Sequence, residues 1–236
     1  MFNKVPNIKF STFDPFLLEN LPPVEGSKSI PDWFKTTKGR GGDWDKTAGL
    51  KGLCPMKGPT MKRCPVLNEY FQTGITIPLW TDIDFYVDCE AKSIEWRYSN
   101  TYSDLELISS HNPEQYPELR DDYIQIKFIN PWIAQCNEDI PWLMTRPVYS
   151  NLEFDKHGII FCDGVVNFKR NYNTHVNLFF PIKKYSYSVK FEAGTPFQKL
   201  IPLYNKSINT HTAYCTKEYY YHAGLFGRTL SWSPGK

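Results

Sequence analysis

Five stretches of one continuous run decide the fold: YIQIKFINPW (residues 123–132), IPWLMTRPVY (140–149), GIIFCDGVVNF (158–168), THVNLFFPI (174–182) and YSVKFEAGTPFQKLIPLY (187–204). In the first, Tyr123, Gln125, Lys127 and Ile129 alternate with Ile124, Ile126 and Phe128. A period of two places successive side chains on opposite faces of a strand, so this reads as a half-buried strand. Asn130-Pro131, Asp163-Gly164 and Ala193-Gly194-Thr195-Pro196 interrupt the apolar runs where a chain must turn. Short strands at this spacing predict a mainly β, antiparallel fold of the jelly-roll or β-sandwich kind, a cupin-like barrel.

The sequence upstream continues the theme. Ile75-Thr76-Ile77-Pro78-Leu79-Trp80 reads as a strand in which Pro78 marks an edge or a bulge. Ile83, Phe85 and Val87 alternate with Asp82, Asp84, Tyr86 and Asp88, and Ser93 to Tyr98 pairs back across a loop at Cys89 to Lys92. That is a hairpin with one wet face, which is where Asp82 and Asp84 belong. Pro65 to Phe71 reads as a short helix stopped by Gly74. Residues 99–122 are polar and read as a surface excursion.

The first 63 residues differ in character. Asp14 is a helix N-cap with Pro15 at the first helical position, and Pro31 starts a second short helix through Trp33 and Phe34. Glycines and basic residues then share the stretch from Lys38 to Arg63, which reads as a long surface loop. The expected organisation is an N-terminal arm with loop (1–63), a β-sandwich (64–216) whose last strand is His211 to Thr216, and a C-terminal tail (217–236) that begins helically.

Composition narrows the partners. The chain has 236 residues, 27 basic and 25 acidic, for a formal charge of +2. So balanced a chain has no dominant basic face, which argues against nucleic acid as the main partner. Apolar runs are too short for a membrane span, and Met1 to Phe10 has no signal-peptide core, so a cytosolic protein with free thiols is expected. Cys162, in an apolar run, reads as a small buried hydrophobe.

Few residues point to chemistry. His175-Val176-Asn177 has the spacing of an iron-binding pair but offers an amide in place of a carboxylate. Cys54, Cys64, Cys215 and His222 lack the paired spacing of structural zinc. Neither a nucleophile elbow nor a phosphate-binding loop is present. No catalytic residue, metal ligand or cofactor is therefore predicted. Trp80, Trp96, Trp132 and Trp142 lie on or beside strands, where aromatic rings can form a stacking platform or line a pocket. Of these, Trp132 and Trp142, with His175, are the candidate ligand-binding residues. Trp33, Phe34, Lys38, Arg40, Lys46 and Lys51 are the candidate interface, because a loop so poor in apolar residues cannot offset its ordering entropy within its own domain.

Several phrases, CPVLNEYFQTGITIPLWTDIDF (64–85), KFINPW (127–132), GVV (164–166), NLFFPI (177–182) and AGTPFQKLIPL (193–203), together resemble a family of β-rich proteins of unassigned function found in tailed phages of marine bacteria and in some bacteria. Cys64-Pro65, Asn130-Pro131-Trp132 and Gly194-Thr195-Pro196 followed by Gln198 match that family's pattern; Asn137-Glu138-Asp139 stands where it has a Pro-Gly turn. The resemblance implies a compact β domain of phage origin and supplies no catalytic residue. The expected function is a virion structural or assembly component, in the host cytoplasm or incorporated in the particle, that self-associates or binds other phage proteins. The alternative is a cupin-like small-ligand-binding protein or metal-dependent enzyme acting in the infected host. For the thiols, titration of denatured, unreduced protein is expected to find all six cysteines; two thiols that appear only after reduction would overturn the reduced state.

Overall fold

The computed structural model describes residues 5–39, 60–98, 106–204 and 208–230. The first half contains β1 (Asn7–Thr12), α1 (Pro15–Asn20), β2 (Val24–Glu25), α2 (Asp32–Thr36), α3 (Pro65–Gln72), β3 (Ile75–Pro78), β4 (Ile83–Asp88), β5 (Ser93–Tyr98) and β6 (Ile108–Ser110). The second contains β7 (Tyr123–Phe128), β8 (Ile133–Cys136), β9 (Pro141–Thr145), α4 (Glu153–His157), β10 (Ile160–Phe161), β11 (Gly164–Asn167), β12 (Val176–Pro181), β13 (Tyr187–Phe191), β14 (Pro196–Pro202), β15 (Asn209–Tyr214) and α5 (Lys217–Leu230).

The described strands make four sheets, in the orders β15-β1-β8, β10-β12-β7-β6, β11-β9-β14-β3-β2 and β13-β4-β5. The fold is mainly β, and its strand pairs are antiparallel except β1 with β15. These sheets are open rather than closed into one barrel. One apolar core joins all four, drawing Phe10 from β1, Phe85 from β4, Phe128 from β7, Phe180 from β12, Phe191 from β13 and Phe197 from β14. The Phe85 ring lies 4.9 Å from Phe180, and Phe128 lies 4.9 Å from Phe197. Burying a large side chain of this kind is worth about 2–3 kcal/mol, so these rings dominate the cohesion between sheets.

Local chemistry explains most elements. Asp14 caps α1 by accepting from the amides of Phe16 (2.7 Å) and Leu17 (3.4 Å). β4 and β5 form the expected hairpin, and Asp84 and Asp82 stand on the solvated side. Asp82 also accepts from the amide of Ala193 at 2.7 Å, fastening the turn before β14. Pro78 faces Pro196, and the register slips between Pro196 and Gln198, so two prolines that cannot donate are met by an irregularity inside the sheet.

Three segments depart from the sequence expectation. Residues 7–12, read as part of an arm, form β1 in the middle of a sheet, with Ile8 and Phe10 fully buried. Within the stretch read as a polar excursion, Leu107 and Ile108 are buried and β6 extends the β7 sheet. The last strand, β15, begins and ends two residues earlier than the sequence suggests. Among the described residues no helix is long and apolar enough to cross a membrane.

The turn after β7 ties distant parts of the chain together. Asn130 is wholly buried. Its side-chain oxygen accepts from the Trp132 amide at 3.0 Å, and its amide nitrogen donates to Gln198 Oε1 at 3.2 Å. Its main-chain oxygen accepts from the Tyr220 hydroxyl of α5 at 2.7 Å. The Trp132 carbonyl accepts from Thr174 Oγ1 at 2.6 Å, just before β12.

Gly74, between α3 and β3, has φ +76°, and a Cβ there would run into the Leu200 carbonyl oxygen. Gly194 has φ +79°, but its added Cβ would meet only the end of Leu21, at 3.3 Å. Left-handed backbone alone costs a non-glycine residue about 1–2 kcal/mol. Gly194→Ala is therefore expected to destabilise by about that amount, and Gly74→Ala by more, since the clash with backbone adds to it. Thermal unfolding of the two variants checks the order; equal melting temperatures would show that the chain at Gly74 yields freely.

Candidate functional site

The site grows out of the way β6 ends. β6 pairs with β7 only from Ile108 to Ser110, opposite Phe128 to Ile126. At His111 the chain leaves the ladder with one last bond, from the His111 amide to the Gln125 carbonyl at 3.2 Å. Beyond it, the β7 edge from Gln125 to Tyr123 borders a cleft of about 440 Å3 rather than another strand. The opposite wall comes from the neighbouring sheet, through Ile94 and Trp96 of β5 and Lys92 of the hairpin loop.

Alternation along β7 decides which side chains face the segment that covers it. Ile124, Ile126 and Phe128 share the face turned to the core, while Tyr123, Gln125 and Lys127 share the other. On β12 the cross-strand partners Asn177, Phe179 and Pro181 extend that second face, opposite Lys127, Gln125 and Tyr123. Residues 111–122 lie over it. His111 Nε2 is 3.0 Å from Asn177 Oδ1, and the Tyr116 ring stands edge-on to Phe179 at 5.1 Å. The Tyr116 hydroxyl is 3.6 Å from Cys162 Sγ, and that bond, followed by burial, raises the phenol above its ordinary pKa. Cys162 is thus a half-buried thiol bonded to a phenol rather than an inert core residue. The His111 ring is engaged by Asn177 and the thiol by Tyr116, so these groups are not arranged as a base beside its nucleophile.

Gln125 is the unusual member of the site. It is 7% exposed, and both polar atoms of its side-chain amide are buried with no hydrogen-bond partner among the described residues. The charged residues on the cleft lining are Lys92 and Arg120. Their acidic partners, Asp121 at 3.9 Å and Glu114 at 2.7 Å, lie outside the lining and are mostly exposed.

The residues singled out in the sequence lie elsewhere. Trp132 and Trp142 are fully enclosed by the core, Trp142 against Phe168 at 5.9 Å, so their faces form no open platform. His175 is half-buried just ahead of β12 and is absent from the cleft lining. Trp33 donates from its ring nitrogen to the Tyr149 carbonyl at 2.9 Å and packs edge-on against Phe34 and Phe71, although it is 38% exposed. Phe34 is buried, and Lys38 is exposed. Arg40, Lys46 and Lys51, with most of the Gly/Lys-rich loop, lie outside the described residues. Sequence reasoning missed Gln125, His111, Tyr116 and Arg120. The available signal was Gln125 itself, a polar residue within an alternating run.

A buried charged residue stands apart from the cleft. Lys199 of β14 is 2% exposed, between Thr76 of β3 and Thr145 of β9, and its ammonium lies 4.5 Å above the Tyr70 ring. Tyr70 donates to the Arg146 carbonyl (3.0 Å) and accepts from the Val148 amide (2.9 Å). Desolvation lowers the Lys199 pKa to about 8. Among the described residues, no three of His, Cys, Asp and Glu gather closely enough to hold a metal ion. No family model, curated protein or solved structure matches the chain.

The Lys199 shift carries a sign. Between about pH 8 and the ordinary 10.5, the unfolded chain holds a proton that the folded chain has released. Stability from this group therefore rises with pH across that window and is lowest below it. Lys199→Met is expected to stabilise the protein at pH 7 by about 1 kcal/mol or more and to flatten the rise. Urea unfolding at pH 7, 9 and 10 measures both; a variant less stable at pH 7 would mean that the charged amine is well compensated in the fold.

Proposed function

We propose that the protein is a non-enzymatic small-ligand-binding β protein, and that the cleft beside β7 is its binding site. The observation that carries this reading is the Gln125 amide, buried at the cleft without a partner among the described residues for either polar atom. Leaving a buried polar group unsatisfied costs about 1–3 kcal/mol, whereas an apolar group of similar shape would cost nothing. A fold that retains such a group gives up stability, and a ligand edge that meets the amide recovers it. The cleft volume, about 440 Å3, falls in the range of small-molecule sites, and its walls are mainly aromatic and aliphatic with a few polar groups, the composition such sites share. Such a binder is compatible with the phage setting that the sequence resemblance implies, acting in the infected cell.

Gln125→Leu tests this without the ligand being known. The variant is expected to stabilise the free protein by about 1–3 kcal/mol, because it removes an unpaired amide and keeps the volume. It is also expected to lose compounds that a ligand-observed NMR screen finds for the wild type. If Gln125→Leu melts at or below the wild-type temperature, the amide is already satisfied in the free protein and the proposal loses its support.

A further inference from the structure

Resting on the binding function proposed above, we infer the chemical class of ligand: a planar heterocycle with a cyclic-amide edge and an anionic substituent, as in a nucleoside monophosphate. Three features of the cleft converge on it. First, a primary amide offers a donor and an acceptor side by side, and both are unpaired on Gln125. The complement of that pair is another amide edge, with N–H and C=O adjacent, which a lactam ring presents in one plane. Second, the walls near Gln125 are rings. Phe179 is its direct cross-strand partner, Tyr116 stands edge-on to Phe179, Tyr123 follows at 6.4 Å, and Trp96 of β5 joins the cleft lining. Ring faces and edges of this kind hold a flat heterocycle better than an aliphatic chain.

Third, the charged lining residues, Lys92 and Arg120, are both cations. Each is held by an exposed carboxylate outside the lining, and exposed pairs of this type are worth roughly 0–1 kcal/mol. A phosphate entering the mouth can draw both cations from those partners, and Arg120 offers a planar fork that fits a phosphate with two bonds. The Gln125 amide atoms are sealed from solvent in the free protein. The heterocycle reaches them when the Tyr116 side chain, 37% exposed, turns away from Phe179.

The test is isothermal titration of the full chain with three probes, uridine monophosphate, uridine and inorganic phosphate, at low and at moderate salt. The monophosphate is expected to bind at least tenfold more tightly than either fragment, and more weakly as salt rises. Arg120→Gln should weaken the monophosphate about five- to tenfold and leave uridine unchanged; Gln125→Leu should abolish binding of both. Uridine binding as tightly as its monophosphate, or a monophosphate indifferent to Arg120→Gln, would refute the anionic class while leaving the binding function in place. Failure of the monophosphate to bind the wild type, alongside the extra stability of Gln125→Leu, would likewise refute this class alone. The same failure together with an unstabilised Gln125→Leu would remove the binding function as well.

Discussion

The fold depends on one buried turn. Asn130 directs its side-chain oxygen back to the Trp132 amide, its nitrogen forward to Gln198, and its carbonyl to the Tyr220 hydroxyl. Through those bonds the end of β7, the start of β8, the middle of β14 and the last helix are fixed relative to one another. Wholly buried polar groups are expensive unless paired, so a fold that pairs the Asn130 side chain and carbonyl in this way can hardly adopt another register. Two motifs of the sequence, Asn130-Pro131-Trp132 and the strand carrying Gln198, meet at this point. Their joint occurrence is therefore accounted for by architecture, with no need of a chemical role.

Once that turn is set, the cleft follows from strand lengths. β7 is held on one side by β12 along its whole length, but on the other only where β6 lasts. An edge with unpaired backbone is a liability that proteins usually cover. Here the cover is the segment 111–122, fastened through His111, Asn177 and the contact of Tyr116 with Phe179. The covering is incomplete, and the gap between the β7 edge and β5 is the cavity. The site is thus a consequence of where pairing stops, built from two sheets and a loop that no single stretch of sequence displays.

That origin explains what the sequence could and could not disclose. Alternation from Tyr123 to Ile129 located β7, and Asp14, Gly74 and the turn between Asp88 and Ser93 marked their elements through short-range chemistry. β1 escaped because only Ile8 and Phe10 carry the apolar signal, while Ser11 and Thr12 are buried by pairing with neighbours distant in sequence. β6 escaped because it is short and set in polar surroundings. The tryptophans misled for a different reason. Composition shows that Trp132 and Trp142 sit near strands, but whether an indole faces a cleft or the core depends on which sheet closes over it. Periodicity separates two faces; it does not say that the face bearing Gln125 and Phe179 would be roofed by residues 111–122.

Three of the buried polar side chains, Asn130, Lys199 and Gln125, show how one principle gives three outcomes. Asn130 finds partners at three separate places in the chain and becomes an anchor. Lys199 has the ring of Tyr70 against its ammonium, and its environment answers by lowering its affinity for a proton. Gln125 has neither recourse: an amide cannot shed its polarity by titrating, and the described residues supply it with no bond. Its cost can be removed only by something brought from outside. Asn130 and Gln125 belong to the same short run and carry the same functional group, so amide chemistry does not distinguish anchor from site. What distinguishes them is whether the folded chain completes the hydrogen bonding, and at Gln125, beside the open edge of β7, it does not.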